Sequence, residues 1–332
     1  MTAQLRRTLE RGWYGGGGWL RLLLPLSGLF AAATALRRLA YRRGWLHSYR
    51  PPCCVVVVGN IVAGGTGKTP VVIALARALA ARGYRVAIAA GGYRGRERAR
   101  PQRVHGDSDP RAVGDEAVLL AMRAAVPVAA GARRAAAVRL LLEDPAPPEI
   151  VICDDGLQHY ALQRDMEIVT IDAARRFGNG RLLPAGPLRE APSRLAAADR
   201  VLERGGSDPR SAVSYRLCAL RCLATGEERP PARHGLPRQV YALAGIADPA
   251  PFFAALRGLG FETRERRFAD HHAFRAADLA PLDDRPVIMT EKDAVKCRPF
   301  ARRGHWVLVV AAQLPDGLVD AVERRAKRSE SR

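Results

Sequence analysis

The chain has 332 residues, of which 53 are Lys or Arg and 33 are Asp or Glu, giving a formal net charge of +20. Its hydrophobic fraction of 48% excludes an intrinsically disordered chain, and its length accommodates one large or two ordinary α/β domains. The excess of positive charge favours an anionic partner, either nucleic acid, an anionic lipid surface or a phosphorylated substrate.

The amino-terminal segment, residues 1–45, combines an apolar stretch with arginines. Residues 22–36 carry no charge, but this stretch is shorter than the roughly 20 residues that cross a bilayer as a helix. We interpret the segment as a helix that lies in or dips into a membrane surface, with its arginines near anionic lipid. A signal peptide and an ordinary buried helix are the alternatives.

A strand, a glycine loop and a helix follow in order. The apolar run 53–58 predicts a central parallel strand, and the spacing of apolar residues over 70–81 predicts a helix. The loop between them is Gly64-Gly65-Thr66-Gly67-Lys68-Thr69. Backbone N–H groups of such a loop converge on phosphates, while Lys68 reaches the β- and γ-phosphates and the Thr69 hydroxyl binds Mg²⁺. The loop therefore predicts a nucleotide site, although Val62 stands where a strict P-loop has its first glycine.

Carboxylates follow the next well-defined strand. The apolar run 149–153 ends in Asp154 and Asp155, at the sheet edge where α/β proteins bind ligands. With Thr69 they predict a site for Mg²⁺. Asp115 begins a predicted helix, where an aspartate is more often a helix cap than a catalytic residue. His271 follows a strand-like stretch, where a histidine is usually a surface or hydrogen-bonded residue.

The second half predicts another α/β module. Residues 214–222 alternate like an exposed strand and lead into a proline-rich stretch, and further strands are predicted at 240–243, 287–289 and 306–310. Asp248 and Pro249 predict the cap of a helix that ends near residue 256, and the chain after Arg324 predicts disorder.

The predicted fold class is thus α/β: a P-loop-type α/β/α domain and a second, smaller α/β domain, joined by a β-ribbon and proline linker. The predicted boundaries are 1–45 for the membrane-associating helix, 46–212 for the nucleotide-binding domain, 213–238 for the linker, 239–325 for the second domain and 326–332 for a basic tail.

Lysine is rare in this chain. It occurs only at Lys68, Lys292, Lys296 and Lys327, against a large number of arginines. A compact ammonium cannot be replaced by a planar guanidinium at every site, so a surviving lysine can mark a special position. Lys68 lies in the glycine loop and Lys292 and Lys296 share one short motif, but the sequence assigns no role to this last pair.

Several motifs in collinear order resemble the tetraacyldisaccharide 4'-kinases of lipid A synthesis. Besides the glycine loop, they are Val58-Gly59-Asn60-Ile61, Val113-Gly114-Asp115-Glu116, Asp154-Asp155-Gly156-Leu157-Gln158-His159, Leu183-Pro184-Ala185-Gly186-Pro187-Leu188-Arg189-Glu190, Phe268-Ala269-Asp270-His271 and Thr290-Glu291-Lys292-Asp293-Ala294-Val295-Lys296.

The resemblance implies a kinase at the cytoplasmic face of a bacterial inner membrane. It would move the γ-phosphoryl group of ATP, with Mg²⁺, to the 4'-hydroxyl of a disaccharide lipid, without a specific nucleic acid or an obligate protein partner. By similarity, Asp115 is the base, His271 orients it and Lys68 completes the catalytic group. Asp154 and Asp155 serve the metal and the phosphates.

The resemblance also implies a substrate-binding group made up of Tyr93, His159, Arg189 and Glu190. One departure concerns the acceptor: the family usually has arginine where this chain has Gly91, so Arg94 or Arg96 would have to compensate.

Two other classes of function stay open from the residues alone. The variant glycine loop also fits a nucleotide switch or a membrane-partitioning ATPase that has no small acceptor. The net charge alone favours nucleic-acid binding, but the basic residues are scattered and only non-specific, salt-sensitive binding is expected.

Overall fold

The computed structural model describes residues 3–93 and 95–330. In this part of the chain, thirteen strands form one sheet. They are β1 (Cys54–Gly59), β2 (Val86–Ala90), β3 (Gln102–Val104), β4 (Val128–Ala130), β5 (Ile150–Asp154), β6 (Met166–Asp172), β7 (Arg200–Arg204), β8 (Ala212–Cys222), β9 (Glu228–Arg229), β10 (Gln239–Ala244), β11 (Glu262–Arg267), β12 (Val287–Thr290) and β13 (His305–Gln313).

Ten α-helices accompany these strands in the described residues. They are α1 (Ala3–Gly15), α2 (Leu24–Arg42), α3 (Lys68–Ala81), α4 (Pro110–Val113), α5 (Asp115–Ala124), α6 (Arg134–Leu142), α7 (Ala250–Gly258), α8 (Ala276–Leu279), α9 (Glu291–Cys297) and α10 (Leu318–Glu330).

The sheet order is β11-β10-β12-β13-β8-β7-β6-β1-β5-β2-β4-β3, with β9 paired to β8. The first half of the chain builds a mainly parallel sheet around β1 and β5, whose residues are buried throughout. Helices α3, α5 and α10 cover one face and α6 covers the other, which explains the continuous apolar runs in these strands. The mixed α/β architecture agrees with the predicted fold class.

Strand β8 links the two halves, and here the expectation of an exposed strand is wrong. Its start pairs in parallel with β7, and the rest pairs in antiparallel register with β13. Ala219, Leu220 and Cys222 are consequently buried. The alternation in the sequence suggested an edge, because a strand's neighbours on both sides cannot be deduced from its own side chains.

The chain after Arg324 is helical as far as Glu330, so the predicted disorder is wrong. Val322 and Ala326 are buried in the same core cluster as residues of β1 and α3, and Arg325 forms an ion pair with Asp199 at 2.6 Å. The last helix therefore packs against the first half of the chain. Its charged outer face concealed this buried stripe at the sequence level.

Helix α7 shows a smaller correction. Its N-cap is Pro249, with no side-chain capping bond, so Asp248 does not cap it. The Asp248 carboxylate instead lies 3.7 Å from both Arg175 and Arg204, which belong to the first half of the chain. Asp248, which the sequence pattern predicts to be a helix cap, therefore contributes to the contact between the two halves of the chain.

The amino-terminal segment from Gly18 to Arg42 is apolar and long enough to cross a membrane, with a mean hydropathy of 1.5 and only 11% of it buried. Leu22, Leu29 and Leu36 are strongly exposed. This exposure disagrees with a helix buried in the core of this chain. Ser27, near the start of α2, anchors the helix by donating a hydrogen bond to the Leu182 carbonyl at 2.9 Å.

Candidate active site

The glycine loop lies between β1 and α3, as predicted. Gly67 has a φ of +80° immediately before Lys68 begins α3, a left-handed conformation that favours glycine. A side chain on Gly67 would also collide with the Tyr215 hydroxyl, which donates a hydrogen bond to the Gly67 carbonyl at 3.0 Å. The loop thus places the amino end of a fourteen-residue helix at the carboxyl edge of the sheet.

Hydrogen bonds from buried side chains hold the glycine loop in place. The Asn60 amide donates to the Gly64 carbonyl at 3.2 Å, and the hydroxyls of Thr66 and Thr170 lie 2.7 Å apart. Sequence reasoning placed Thr66 among the nucleotide-binding residues, but its side chain is buried in this network, so any nucleotide contact comes from its backbone. Asn60 and Thr170 were not identified from the sequence as support for the loop.

Lys68 joins the loop to the carboxylates after β5. Its Nζ lies 3.3 Å from Asp155 Oδ1, and a guanidinium nitrogen of Arg189 lies 3.2 Å from both carboxylate oxygens of Asp155. Burial would raise the pKa of Asp155, but Lys68 and Arg189 outweigh it and hold the pKa well below its usual range. The structure therefore brings three of the predicted site residues, two cations and one carboxylate, together in one ion-pair cluster.

Asp154 is buried beside this cluster, because it ends β5 and stands in register with Val58 of β1. Within residues 3–93 and 95–330, its Oδ1 atom has no hydrogen-bond partner. Burial, together with the negative charge of Glu116, raises the pKa of Asp154 to about 7. The Arg134 guanidinium binds only the backbone carbonyl of Asp154, at 2.6 Å. The charges of Lys68 and Arg134 act against this rise, but no donor among the described residues reaches the Asp154 Oδ1 atom.

These oxygen donors fit Mg²⁺. The described residues contain no group of three or more His, Cys, Asp or Glu side chains arranged to hold a metal. Mg²⁺ does not need one, because it is usually held by one or two carboxylates together with substrate phosphates and water. The unsatisfied Asp154 oxygen and the nearby glycine loop match this donor set.

Asp115 and His271 meet across the two halves of the chain. Asp115 begins α5, and both of its carboxylate oxygens lie 3.0 Å from Nδ1 of His271. Burial would raise the pKa of Asp115, yet the hydrogen bond from His271 and the charge of Lys292 lower it to about 2. His271 has a φ of +59°, so the backbone presents this side chain from an uncommon conformation.

Two lysines surround this pair. Lys292 Nζ lies 2.9 Å from Glu116 Oε1 and 3.0 Å from His271 Nε2. Lys296 Nζ lies 2.8 Å from Asp293 and 3.7 Å from Asp115. The scarcity of lysine marked both residues in the sequence, but no sequence signal indicated what they contact.

The remaining predicted residues lie at different places. The half-exposed ring of Tyr93 stands 5.0 Å from the ring of His271, the partner of Asp115. His159 follows the Asp155 turn, and burial with the charge of Arg134 lowers its pKa to about 4. Arg96 is exposed, and Arg94 lies outside the described residues.

Gly91 marks where another arginine approaches. A Cβ atom on Gly91 would stand 2.7 Å from a terminal guanidinium nitrogen of Arg134. The Arg134 side chain, which is buried, thus occupies the space beside the glycine that replaces the family's usual arginine. Arg134 was missed in the sequence, where it is one arginine among many on a helix.

Glu190 is buried and has several partners in the structure. Its carboxylate accepts hydrogen bonds from Gln158 and Tyr160, each at 2.8 Å, and pairs with Arg194 at 3.3 Å. These contacts hold the chain next to Arg189, and a contact between Glu190 and a substrate stays a prediction.

Comparison with known proteins agrees with this arrangement. A family model described as tetraacyldisaccharide-1-P 4'-kinase matches residues 19–327. The tetraacyldisaccharide 4'-kinase of Aeromonas salmonicida is 48% identical over 95% of this chain and 95% of its own length, and that of Alcanivorax borkumensis is 46% identical over 97% and 98%.

A solved structure shows the same fold. The crystal structure of LpxK from Aquifex aeolicus in complex with ATP matches with a TM-score of 0.76 and 27% sequence identity, covering 94% of this chain and 99% of that one. Taken with the match of the family model over nearly the whole sequence, this places the chain in the tetraacyldisaccharide 4'-kinase family.

Proposed function

We propose that this chain transfers the γ-phosphoryl group of ATP to the 4'-hydroxyl of a tetraacyldisaccharide 1-phosphate, a step of lipid A synthesis. Family membership and the ATP complex of a solved relative support the reaction. The observation that carries the proposal is the Asp115–His271 pair, in which Nδ1 of His271 lies 3.0 Å from the Asp115 carboxylate. Glu116, the residue after Asp115, contributes to the raised pKa of Asp154, so the pair lies close to the carboxylates beside the glycine loop.

In the proposed mechanism, the glycine loop and Lys68 hold the terminal phosphates. The backbone N–H groups at the start of α3 face the phosphate oxygens, and the helix dipole favours their negative charge. Lys68 then adds a compact positive charge near the β- and γ-phosphates. Asp155 and Arg189 position Lys68 and its surroundings before the nucleotide arrives.

Thr69, Asp154 and Asp155 would hold Mg²⁺, as the donor set allows. When bound, the ion would supply neutralisation of the charge on the phosphate oxygens. It would also give the Asp154 Oδ1 atom the partner that it lacks among the described residues.

Asp115 accepts the proton of the 4'-hydroxyl. A bond forms between that oxygen and the γ-phosphorus, the bond from the γ-phosphorus to the bridging oxygen breaks, and ADP leaves with that electron pair. His271 donates a hydrogen bond to Asp115 and fixes its direction. In phosphoryl transfer the largest contributions come from positioning and charge neutralisation, so a carboxylate of low pKa suffices as the base.

The amino-terminal helix would bring the acceptor to the site at the cytoplasmic face of the bacterial inner membrane. The exposed leucines of α2 supply an apolar face, and Arg37, Arg38, Arg42 and Arg43 near its end supply charges for anionic headgroups. The proposal also includes the predicted domain boundaries: 1–45 for the membrane-associating helix, 46–212 for the nucleotide-binding domain, 213–238 for the linker and 239–325 for the second domain. One boundary is changed, because helix α10 packs in the core of the nucleotide-binding domain.

The test is transfer of labelled phosphate from ATP to the disaccharide lipid in mixed micelles. Wild-type protein should label the lipid, and Lys68→Ala should abolish labelling while retaining the circular dichroism spectrum. Lys327→Ala, which alters an exposed lysine in the last helix, is the matched control and should remain active. ATP hydrolysis without any labelled lipid, or stimulation only by a protein partner, would instead favour a nucleotide switch.

A further inference from the structure

The two lysines of the Thr-Glu-Lys-Asp-Ala-Val-Lys motif lie on one face of helix α9. Lys292 and Lys296 are four residues apart, so their side chains emerge one above the other. Both are largely buried, with side-chain exposures of 16% and 10%. Lysine is rarely buried without a partner, so the groups that each ammonium contacts explain its position.

The contacts of Lys292 are all anionic or basic atoms of the site. Its Nζ lies 2.9 Å from Glu116, 3.6 Å from Asp270 and 3.0 Å from His271 Nε2. Burial alone would lower the pKa of Lys292, but Glu116, Asp115 and Asp270 outweigh it and raise the pKa above its usual value. The side chain is therefore an ammonium ion, which has three donors and no acceptor.

An ammonium at His271 Nε2 determines where the imidazole proton resides. Because Lys292 can only donate, Nε2 must be the unprotonated, accepting nitrogen of a neutral ring. The proton is then on Nδ1, from which it is donated to Asp115 at 3.0 Å. The chain Lys292–His271–Asp115 has a single consistent direction of donation.

Backbone hydrogen bonds in the second half of the molecule hold His271 and helix α9 in fixed positions. Gly245 donates its N–H to Asp293 at 2.8 Å, and its carbonyl accepts the N–H of His271 at 3.1 Å. Asp293 also accepts from Lys296 at 2.8 Å. One residue, Gly245, thereby connects the His271 loop to α9.

We propose that Lys292 is a positioning residue: its ammonium donates to His271 Nε2 and holds the imidazole in the neutral tautomer whose Nδ1–H group orients the Asp115 carboxylate. The groups that face His271 are Asp115 and Glu116 on α5, Asp270 on its own loop, Lys292 on α9 and the ring of Tyr93, with Lys296 facing Asp115 from α9. The inference rests on the proposed function for its catalytic consequence, but not for the tautomer.

The tautomer can be observed directly by NMR. In full-length protein with ¹⁵N-labelled histidine, His271 is assigned by comparison with His271→Gln, and its two ring nitrogens should show Nδ1 protonated and Nε2 unprotonated near neutral pH. Lys292→Met, which keeps length but not charge, should move both signals towards the tautomer average or the imidazolium. Lys292→Arg, which retains donors, should keep most of the wild-type pattern, and Lys327→Met should keep all of it.

Kinetics give the second readout. Lys292→Met should lower kcat by about 10- to 100-fold, part of the ~10²- to 10⁴-fold typical of a positioned base, with the KM for ATP within about twofold of wild type. An Nε2-protonated His271 in the wild type overturns the proposal, and this holds even if Lys292→Met does not fold. So does a fall in kcat without a change at His271, or a changed His271 without a fall in kcat. Absence of phosphoryl transfer by wild-type protein would defeat the proposed function alone.

Discussion

Asp115 and Asp154 are two carboxylates with nearly the same burial and opposite electrostatics. Their exposures are 5% and 3%, and both stand at the carboxyl edge of the same sheet. The pKa of Asp115 is lowered to about 2, whereas that of Asp154 is raised to about 7. Burial raises the pKa of both, so the difference comes from what surrounds each carboxylate.

The second half of the chain provides the groups that lower the pKa of Asp115. His271 donates a hydrogen bond to it at 3.0 Å, the charge of Lys292 acts on it, and Lys296 stands 3.7 Å away. Asp154 has neighbouring carboxylates and an oxygen with no donor in the described chain. The protein thus holds Asp115 in its ionised form, and we propose that Asp154 binds the Mg²⁺ that accompanies the nucleotide.

The largest expected effect comes from removing the negative charge of Asp115. Asp115→Asn should lower kcat by about 10²- to 10⁴-fold, because the amide cannot accept the hydroxyl proton. The dissociation constant for ATP, measured by calorimetry, should change little, since Asp115 lies outside the glycine loop. Asp320→Asn, at an exposed carboxylate of α10, is the matched control and should keep normal turnover. Near-normal turnover of Asp115→Asn would remove Asp115 from the role of base.

The second effect concerns Asp154, whose Oδ1 atom has no hydrogen-bond partner among the described residues. Asp154→Asn should raise the Mg²⁺ concentration needed for half-maximal activity by at least about tenfold, a size typical of perturbed metal sites. Titration of activity with Mg²⁺ after chelation checks this, and Asp115→Asn should leave the midpoint unchanged. The same shift in both variants would show that the two carboxylates do not have separate roles.

The sequence predicted the components of one carboxylate site better than those of the other. The glycine loop, Asp154 and Asp155 follow strands that are recognisable as apolar runs, and strand ends of a parallel sheet share one edge. Lys68 and Asp155 could therefore be expected to meet. Asp115 and His271 are 156 residues apart, and only the family resemblance paired them.

What could not be predicted depends on tertiary contacts. The partners of Glu190, the role of Lys292 and the helical end of the chain all depend on which surfaces pack together, and side-chain pattern alone does not specify that. Arg134 illustrates the limit: its burial beside Gly91 follows from the absence of a Cβ atom, a relation between distant positions.

The third effect is on stability, and it tests the low pKa of Asp115. The pKa of Asp115 in the folded protein, about 2, lies below its ordinary value of 3.8. Ionisation of Asp115 therefore contributes stability that is full above the unfolded pKa and is lost as the pH falls through the folded pKa. The shift corresponds to a contribution on the order of 2 kcal/mol to the free energy of unfolding at neutral pH. The stability difference between wild type and Asp115→Asn, from urea unfolding, should narrow below about pH 4. A difference that is independent of pH down to acid unfolding would contradict the shift.

The smallest effect is expected from substitution of Tyr93, whose ring stands 5.0 Å from that of His271. If this ring borders the acceptor, Tyr93→Ala should raise the KM for the disaccharide lipid by about 3- to 10-fold, the scale of one aromatic contact. The KM for ATP should not change, because the proposed function places the nucleotide phosphates on the side of Asp154. Tyr93→Phe keeps the ring and is the matched control, with an acceptor KM within about threefold of wild type if packing dominates. An increase in the KM for ATP alone would move Tyr93 to the nucleotide side and reverse the assignment of the two carboxylates to acceptor and metal.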